Sequence, residues 1–181
     1  MPTAAQNEQM IARMRYPGLM RLWDQILAKG TAPAWDPGKA LEYLVLRAFQ
    51  LEGAFVTWPY QISAGKGTIE QIDGVVYVEG IACILECKDH ADRMDYDAIA
   101  VLRDQINRRP AGTFGSCIST SGFTVTALQL VTYGRQEIAV WTKEDLDYAL
   151  RRRKMLLGLH AKYRWCVESA MPDLDLKAAK I

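Results

Sequence analysis

Asp73, Glu86 and Lys88 are the residue types of a divalent-cation site, two hard oxygen donors with a compact positive charge beside them. Their spacing predicts that they meet. Glu79-Gly80 lies between two apolar, β-branched runs and reads as a two-residue hairpin turn. With those two residues at the turn, Val78 faces Ile81, Val75 faces Ile84 and Asp73 faces Glu86. Directly opposed residues share one face of an antiparallel pair, with Cβ atoms roughly 4.5–5.5 Å apart. Lys88, two residues beyond Glu86, projects from that same face. The convergence at one end of a hairpin predicts a metal site with a lysine at its side.

The competing reading is a solvated sheet face decorated with charge. The flanking residues oppose it. Val75, Val76, Tyr77 and Val78, then Ile81 through Leu85, are apolar at odd and even positions alike. A strand that is apolar on both sides is covered on both sides. Charges at the end of a covered hairpin are costly to desolvate unless something compensates them. Opposed carboxylates also repel, and a bound cation reverses that sign.

The elements that must hold this hairpin follow from periodicity and turn chemistry. Helical spacing over 7–29 is interrupted at Pro17-Gly18, and an apolar stripe (Leu19, Leu22, Trp23, Ile26, Leu27) ends at Gly30. After a Gly/Pro/Ala loop, Asp36-Pro37 supplies a capping residue and a first-turn proline for a helix over 37–51. That helix aligns Glu42 with Val45, Leu46 and Phe49. Glu42 is therefore either a member of the site or a partly exposed residue at the edge of the stripe. A first strand is expected over 55–62 and a flexible loop over 63–68. The Gly65-Lys66-Gly67-Thr68 segment lacks the upstream glycine and the hydroxyl after the lysine that a phosphate loop requires. Beyond the hairpin come a polar bend over 89–93, a helix over 96–108 stopped by Pro110, and a strand over 114–119. A helix over 124–133, a strand over 137–142, one long final helix over 143–170 and a loose tail over 171–181 complete the chain. The order predicts an α/β fold: a central mixed sheet of about five strands, helices on both faces, and a βαβ crossover after Lys88.

With 181 residues and 50% apolar composition, the chain can bury one sizeable core, and a single domain over 1–181 is expected. The net charge of +1 gives no global basic field, so nucleic-acid contacts would come from local patches. Cys83, Cys87, Cys117 and Cys166 show no paired spacing, and core thiols in a reducing cytoplasm are expected. Two histidines make a histidine-rich metal site unlikely on composition. Neither a secretory signal nor a run of membrane-spanning length is expected.

A helix carrying Glu42, then Asp73, then Glu86-Cys87-Lys88, then helix–strand–helix, resembles the PD-(D/E)xK nucleases of the restriction-endonuclease-like fold. The stretch Cys117-Ile118-Ser119-Thr120-Ser121-Gly122-Phe123-Thr124-Val125-Thr126-Ala127 is similar to the strand-to-helix segment of Mrr-type restriction endonuclease domains. The resemblance spans about 37–150, a nuclease core, with a helical extension over 1–36. Mrr-type domains often carry Gln-x-Lys where this chain has Glu86-Cys87-Lys88, and Ile72 rather than proline precedes Asp73. The resemblance implies a Mg²⁺-dependent DNA endonuclease of restriction or phage defence, with Mn²⁺ able to substitute.

For that chemistry, Asp73, Glu86 and the Cys87 carbonyl are the expected metal ligands, and Glu42 contributes through a water or a second ion. Lys88 is expected to orient the attacking water and stabilise the pentavalent transition state, a base role being the alternative. Gln71 falls opposite Lys88 in the same register, as a substrate contact or an ordinary strand residue. Thr120 and Ser121 are candidate phosphate donors or simple caps. Arg108, Arg109 and the run Arg151–Lys154 are candidate backbone contacts or a solvated face. Trp35, Trp58, Trp141 and Trp165 are dispersed, as packing residues are. DNA is the expected partner, and specificity would come from loops, a partner subunit or a homodimer. A repair or junction-resolving nuclease of the same fold, and a catalytically silent nucleic-acid-binding module, are the rival readings.

Overall fold

The computed structural model describes residues 4–28, 35, 38–58, 60–64 and 67–181. In chain order its elements are α1 (Ala4–Arg13), α2 (Tyr16–Leu27), α3 (Lys39–Leu51), β1 (Phe55–Thr57), β2 (Tyr60–Ala64), β3 (Gly67–Ile72), β4 (Gly74–Val78) and β5 (Ile81–Lys88). They continue with α4 (Tyr96–Asn107), β6 (Phe114–Ser119), α5 (Val125–Tyr133), β7 (Ile138–Trp141), α6 (Lys143–Arg152) and α7 (Met155–Ser169).

β4 and β5 pair antiparallel in the register set by the turn, Val78 with Ile81 through Gly74 with Leu85. Glu79 and Gly80 both take positive φ, 43° and 84°, the handedness a two-residue turn needs to match strand twist. The hairpin is the centre of a five-stranded sheet in the order β1-β4-β5-β6-β7. β1 joins β4 antiparallel, whereas β5, β6 and β7 run parallel. Both faces are covered. Leu46 of α3, Leu146 and Leu150 of α6 and Leu159 of α7 pack with Val76, Cys83, Leu85 and Ile118 on one side. Ile99 and Leu102 of α4 and Val131 of α5 pack with Ile84, Cys117 and Val140 on the other. All six residues of β6 are buried, as a strand between two helical layers requires. The expected α/β architecture, a mixed five-stranded sheet with helices on both faces, is therefore the observed one. The N-terminal helices belong to the same core, through Ile11, Leu19, Leu22, Trp23 and Ile26.

Five expectations need correction. The strand expected over 55–62 is two strands: β1 stops at Thr57, and β2 leaves for a separate ladder with β3. The stretch 63–68, expected as a loop, lies within this second hairpin, although residues 65 and 66 fall outside the described residues. Because β3 pairs with β2, Gln71 lies opposite Gln61 rather than Lys88; the β4–β5 ladder ends at Gly74, and Asp73 is a bend. The Asp36-Pro37 cap and Gly30 also lie outside the described residues, and α3 begins at Lys39.

The single helix expected over 143–170 breaks at Arg153, which takes a left-handed φ of 55°. The N–H of Lys154 closes back on the Ala149 carbonyl, ending α6. A distant carboxylate then starts α7: the N–H groups of Met155 and Leu156 donate to the two oxygens of Glu52, at 3.0 and 2.9 Å. Tyr16 donates its hydroxyl to the same carboxylate. Local helix propensity cannot foresee a cap supplied from a hundred residues upstream.

Nor is the tail over 171–181 loose. The N–H of Val140, on the open edge of β7, donates to the Pro172 carbonyl at 3.0 Å, and Leu176 is fully buried. Lys162 is buried as well, its ammonium donating to the carbonyls of Val140 (2.7 Å) and Leu174 (2.6 Å) and to Asp145 Oδ2 (2.9 Å). Three acceptors offset the cost of desolvating the charge, and tail and lysine together close the sheet edge.

The Glu52 cap yields a stability prediction. Glu52→Ala should lower unfolding free energy by about 1–2 kcal/mol, since two N–H donors lose their acceptor. Urea denaturation of the two proteins measures it; an unchanged midpoint would remove Glu52 as the cap of α7.

Candidate active site

The acidic corner is built where three elements end. Asp73 occupies the bend between β3 and β4, and its Oδ2 accepts the N–H of Cys87 at 2.7 Å. Gly74 follows because a Cβ there would stand 2.5 Å from a methyl of the buried Leu46, so glycine lets α3 approach the start of β4. Glu86 and Lys88 alternate with Cys87 along β5, which places both on the face opposite its buried thiol. Glu42 lies in the first turn of α3 and is buried.

The electrostatics show how tightly these acids are gathered. Burial, then the charge of Asp73, pushes Glu86 up to about 8, against the pull of Lys88. Burial and Asp73 likewise push Glu42 up to about 7, opposed by Lys39. Asp73 is raised by its own burial, while the Cys87 N–H and the charge of Lys39 restrain it. The charges of Glu42 and Asp73 act on each other, which favours a proton on one of them. Asp73 at the bend, Glu86 near the end of β5 and Glu42 from α3 therefore gather three carboxyls into a desolvated corner.

Lys39 was not singled out from the sequence. Its ammonium donates to both Glu42 oxygens, at 2.9 and 2.6 Å; burial lowers its pKa, but that bond together with the charges of Glu42 and Asp73 raises it overall. The i, i+3 placement of Lys39 and Glu42 on a helix was the available signal.

Among the described residues no group of three or more His, Cys, Asp or Glu side chains is set to hold a metal ion. The donor set offered here is smaller and partly main-chain. The Lys88 carbonyl accepts from Thr120 N–H on the β6 side, whereas the Cys87 N–H points the other way, to Asp73. N–H and C=O of one strand residue share a direction, so the Cys87 carbonyl also points past the end of β4. Asp73, Glu86 and that carbonyl are hard oxygens in an acidic corner, a set of the kind Mg²⁺ takes, with one or two carboxylates and its own waters.

The remaining candidates are engaged elsewhere. Gln71 is exposed, and its carbonyl accepts from Gln105 of α4 at 3.1 Å. Arg108 and Arg109 both bind the buried Glu70, at 2.6 and 2.7 Å, clamping β3 to the end of α4. Thr120 donates to Asp89 (2.7 Å) and Ser121 to the His90 carbonyl, so these hydroxyls fasten the loop after β5. The cap of α5 is Thr124 instead. In the run at the end of α6, Arg151 pairs with Asp24 and Asp147, Arg152 covers the Tyr148 ring, and Arg153 covers the Tyr16 ring. Trp35 and Trp58 flank Tyr43, and Trp141 is fully buried.

No family model and no curated protein matches this chain. A solved structure to which it is similar is MspJI restriction endonuclease in complex with a 27-mer oligonucleotide. The TM-score is 0.41 and the identity 16%, over 99% of this chain and 40% of that one. The chain thus spans well under half the length of that structure, and so distant a likeness leaves activity to be judged from the side chains alone. No helix among the described residues is long and apolar enough to cross a membrane.

The raised carboxyls make a sign-definite prediction for the metal-free protein. A group whose folded pKa exceeds its unfolded value contributes stability at low pH that is lost as pH rises from the unfolded value to the folded one, here up to about 8 for Glu86. Glu86→Gln keeps the shape and removes the charge. The variant should therefore melt several degrees above the parent at pH 8.5, with the gap closing below about pH 4. Thermal unfolding in chelator, across that range, decides it; a variant less stable than the parent at pH 8.5 would show that the corner is not under charge repulsion.

Proposed function

We propose that this protein is a Mg²⁺-dependent endonuclease that hydrolyses DNA phosphodiester bonds at the Asp73–Glu86–Lys88 corner, with the restriction-endonuclease-like fold that its motif resembles. The observation that carries this reading is the half-buried Asp73, held by the Cys87 N–H at 2.7 Å, with Glu86 and Lys88 beside it at the end of β5. Mg²⁺, or Mn²⁺ in its place, when bound by Asp73, Glu86 and the Cys87 carbonyl, neutralises phosphoryl oxygen charge and acidifies a water.

The protein groups supply the rest. The Cys87 N–H holds the Asp73 carboxylate through one oxygen, which lowers the reorganisation cost of assembling the ligands. Lys88, on the face of Glu86, is placed to orient the attacking water and to stabilise charge growing on the phosphoryl oxygens. Glu42, whose carboxyl feels the charge of Asp73, would hold a water of the same cluster or a second ion. Hydrolysis leaves a phosphate monoester on one fragment and a hydroxyl on the other; one water is consumed, and its proton passes to solvent or to the leaving alkoxide. Cutting both strands of a duplex needs two such sites, which a homodimer would provide. Action in the cytoplasm, in restriction or phage defence, suits this activity.

Plasmid cleavage with Mg²⁺ or Mn²⁺ tests the reading. Glu86→Ala and Lys88→Ala should each lose at least about 100-fold in rate, the order expected when one transition-state contact is removed, while circular dichroism stays native. Undiminished cleavage by either variant would exclude this active site. Parallel assays on modified and branched duplexes separate a defence nuclease from a junction-resolving one.

A further inference from the structure

Lys39 has no role in the chemistry above, yet its place is unusual. Its ammonium straddles both oxygens of Glu42, and its charge acts on Asp73. Glu42 is buried with a side chain 10% exposed, whereas the Lys39 side chain is 33% exposed. The lysine thus reaches the acidic corner from the solvent side, from the first residue of α3. Its ammonium occupies lone pairs that Glu42 would turn toward a cation, and a lysine stem is flexible enough to leave. An ammonium released there stands at the mouth of a site whose substrate is a polyanion.

We infer that Lys39 is a displaceable counter-ion: it neutralises the Glu42–Asp73 pair in the metal-free protein, and metal binding frees it to contact the DNA backbone. This rests on the reading of the corner as a metal-dependent nuclease site. Two opposed consequences follow from one residue. Without the lysine charge, the acids bind a cation with less competition, so metal affinity rises. DNA affinity falls, because one phosphate contact is lost.

The test uses Lys39→Met and the charge-keeping Lys39→Arg in the full chain. Isothermal titration with Mn²⁺ should show Lys39→Met binding at least about fivefold tighter than the parent, the lower end of typical couplings between sites. In chelator the same variant should melt below the parent, and its gain in melting temperature on adding Mn²⁺ should be larger. DNA binding measured with Ca²⁺, which supports coordination, should weaken, and the slope of log affinity against log salt should drop by about one. Lys39→Arg should stay near the parent in the DNA measurement. Metal affinity that is unchanged or weaker in Lys39→Met overturns the inference, as does an unchanged salt slope. Should the parent take up Mn²⁺ and cleave while Lys39→Met behaves identically, only the counter-ion role fails; a parent that takes up no metal overturns both this role and the nuclease reading.

Discussion

One hydrogen bond sets the geometry on which the site depends, the 2.7 Å contact from the Cys87 N–H to Asp73 Oδ2. β4 ends its ladder at Gly74, and the next peptide groups of β5 would otherwise face an empty edge. The Asp73 carboxylate takes the place of the missing strand. The same bond draws the carboxylate against β5, where Glu86 and Lys88 emerge. A buried N–H must find an acceptor, and here satisfying the backbone and assembling the acids are one event.

The corner is held together against its own charge. Burial raises all three carboxyls, and Asp73 adds to the effect on Glu42 and Glu86. A fold selected only for stability would replace such a group by apolar residues, which is often neutral or favourable. The rest of the molecule supplies the compensation: two helical layers over a five-stranded sheet, and a β7 edge sealed by Lys162 and the tail. The contrast between Lys162 and Lys39 is instructive. Lys162 is fully enclosed by three acceptors from β7, α6 and the tail, and can only hold structure. Lys39 meets one carboxylate and remains partly open to solvent.

What the sequence made legible was whatever depends on alternation over a few residues. The β4–β5 register followed from Glu79-Gly80 and the apolar runs beside it, because a two-residue turn leaves only one pairing. β6 and α4 followed from periodicity and Pro110. What stayed hidden depends on partners far along the chain. Met155 starts a new helix because Glu52 caps it, and residues 171–176 dock because Lys162 and Asp145 receive them. Ser63 to Thr68 has the composition of a loop, yet β2 and β3 pair there because Glu70, on β3, is held by Arg108 and Arg109. Those arginines illustrate the limit most clearly: a basic pair reads as a nucleic-acid contact until a buried carboxylate is found beneath it. The acids themselves were legible, whereas their cation partner Lys39 was not, since exposed lysines are common and only geometry shows which one reaches inward.

The constraints on Asp73 explain why so distant a set of residues bears on one carboxylate. Upstream, Gln105 holds the Gln71 carbonyl and the two arginines hold Glu70, so β3 is pinned to α4 up to two residues before the bend. Downstream, Gly74 lies against Leu46, so β4 is pinned to α3. The bend is then forced between two anchors on opposite faces of the sheet, and the Cys87 N–H selects the side chain orientation. A carboxylate fixed from both flanks and from its own oxygen is held in one orientation, so it would need little reorganisation to take a cation. The clamp of Glu70 by Arg108 and Arg109 thereby bears on the acidic corner through the position of the backbone.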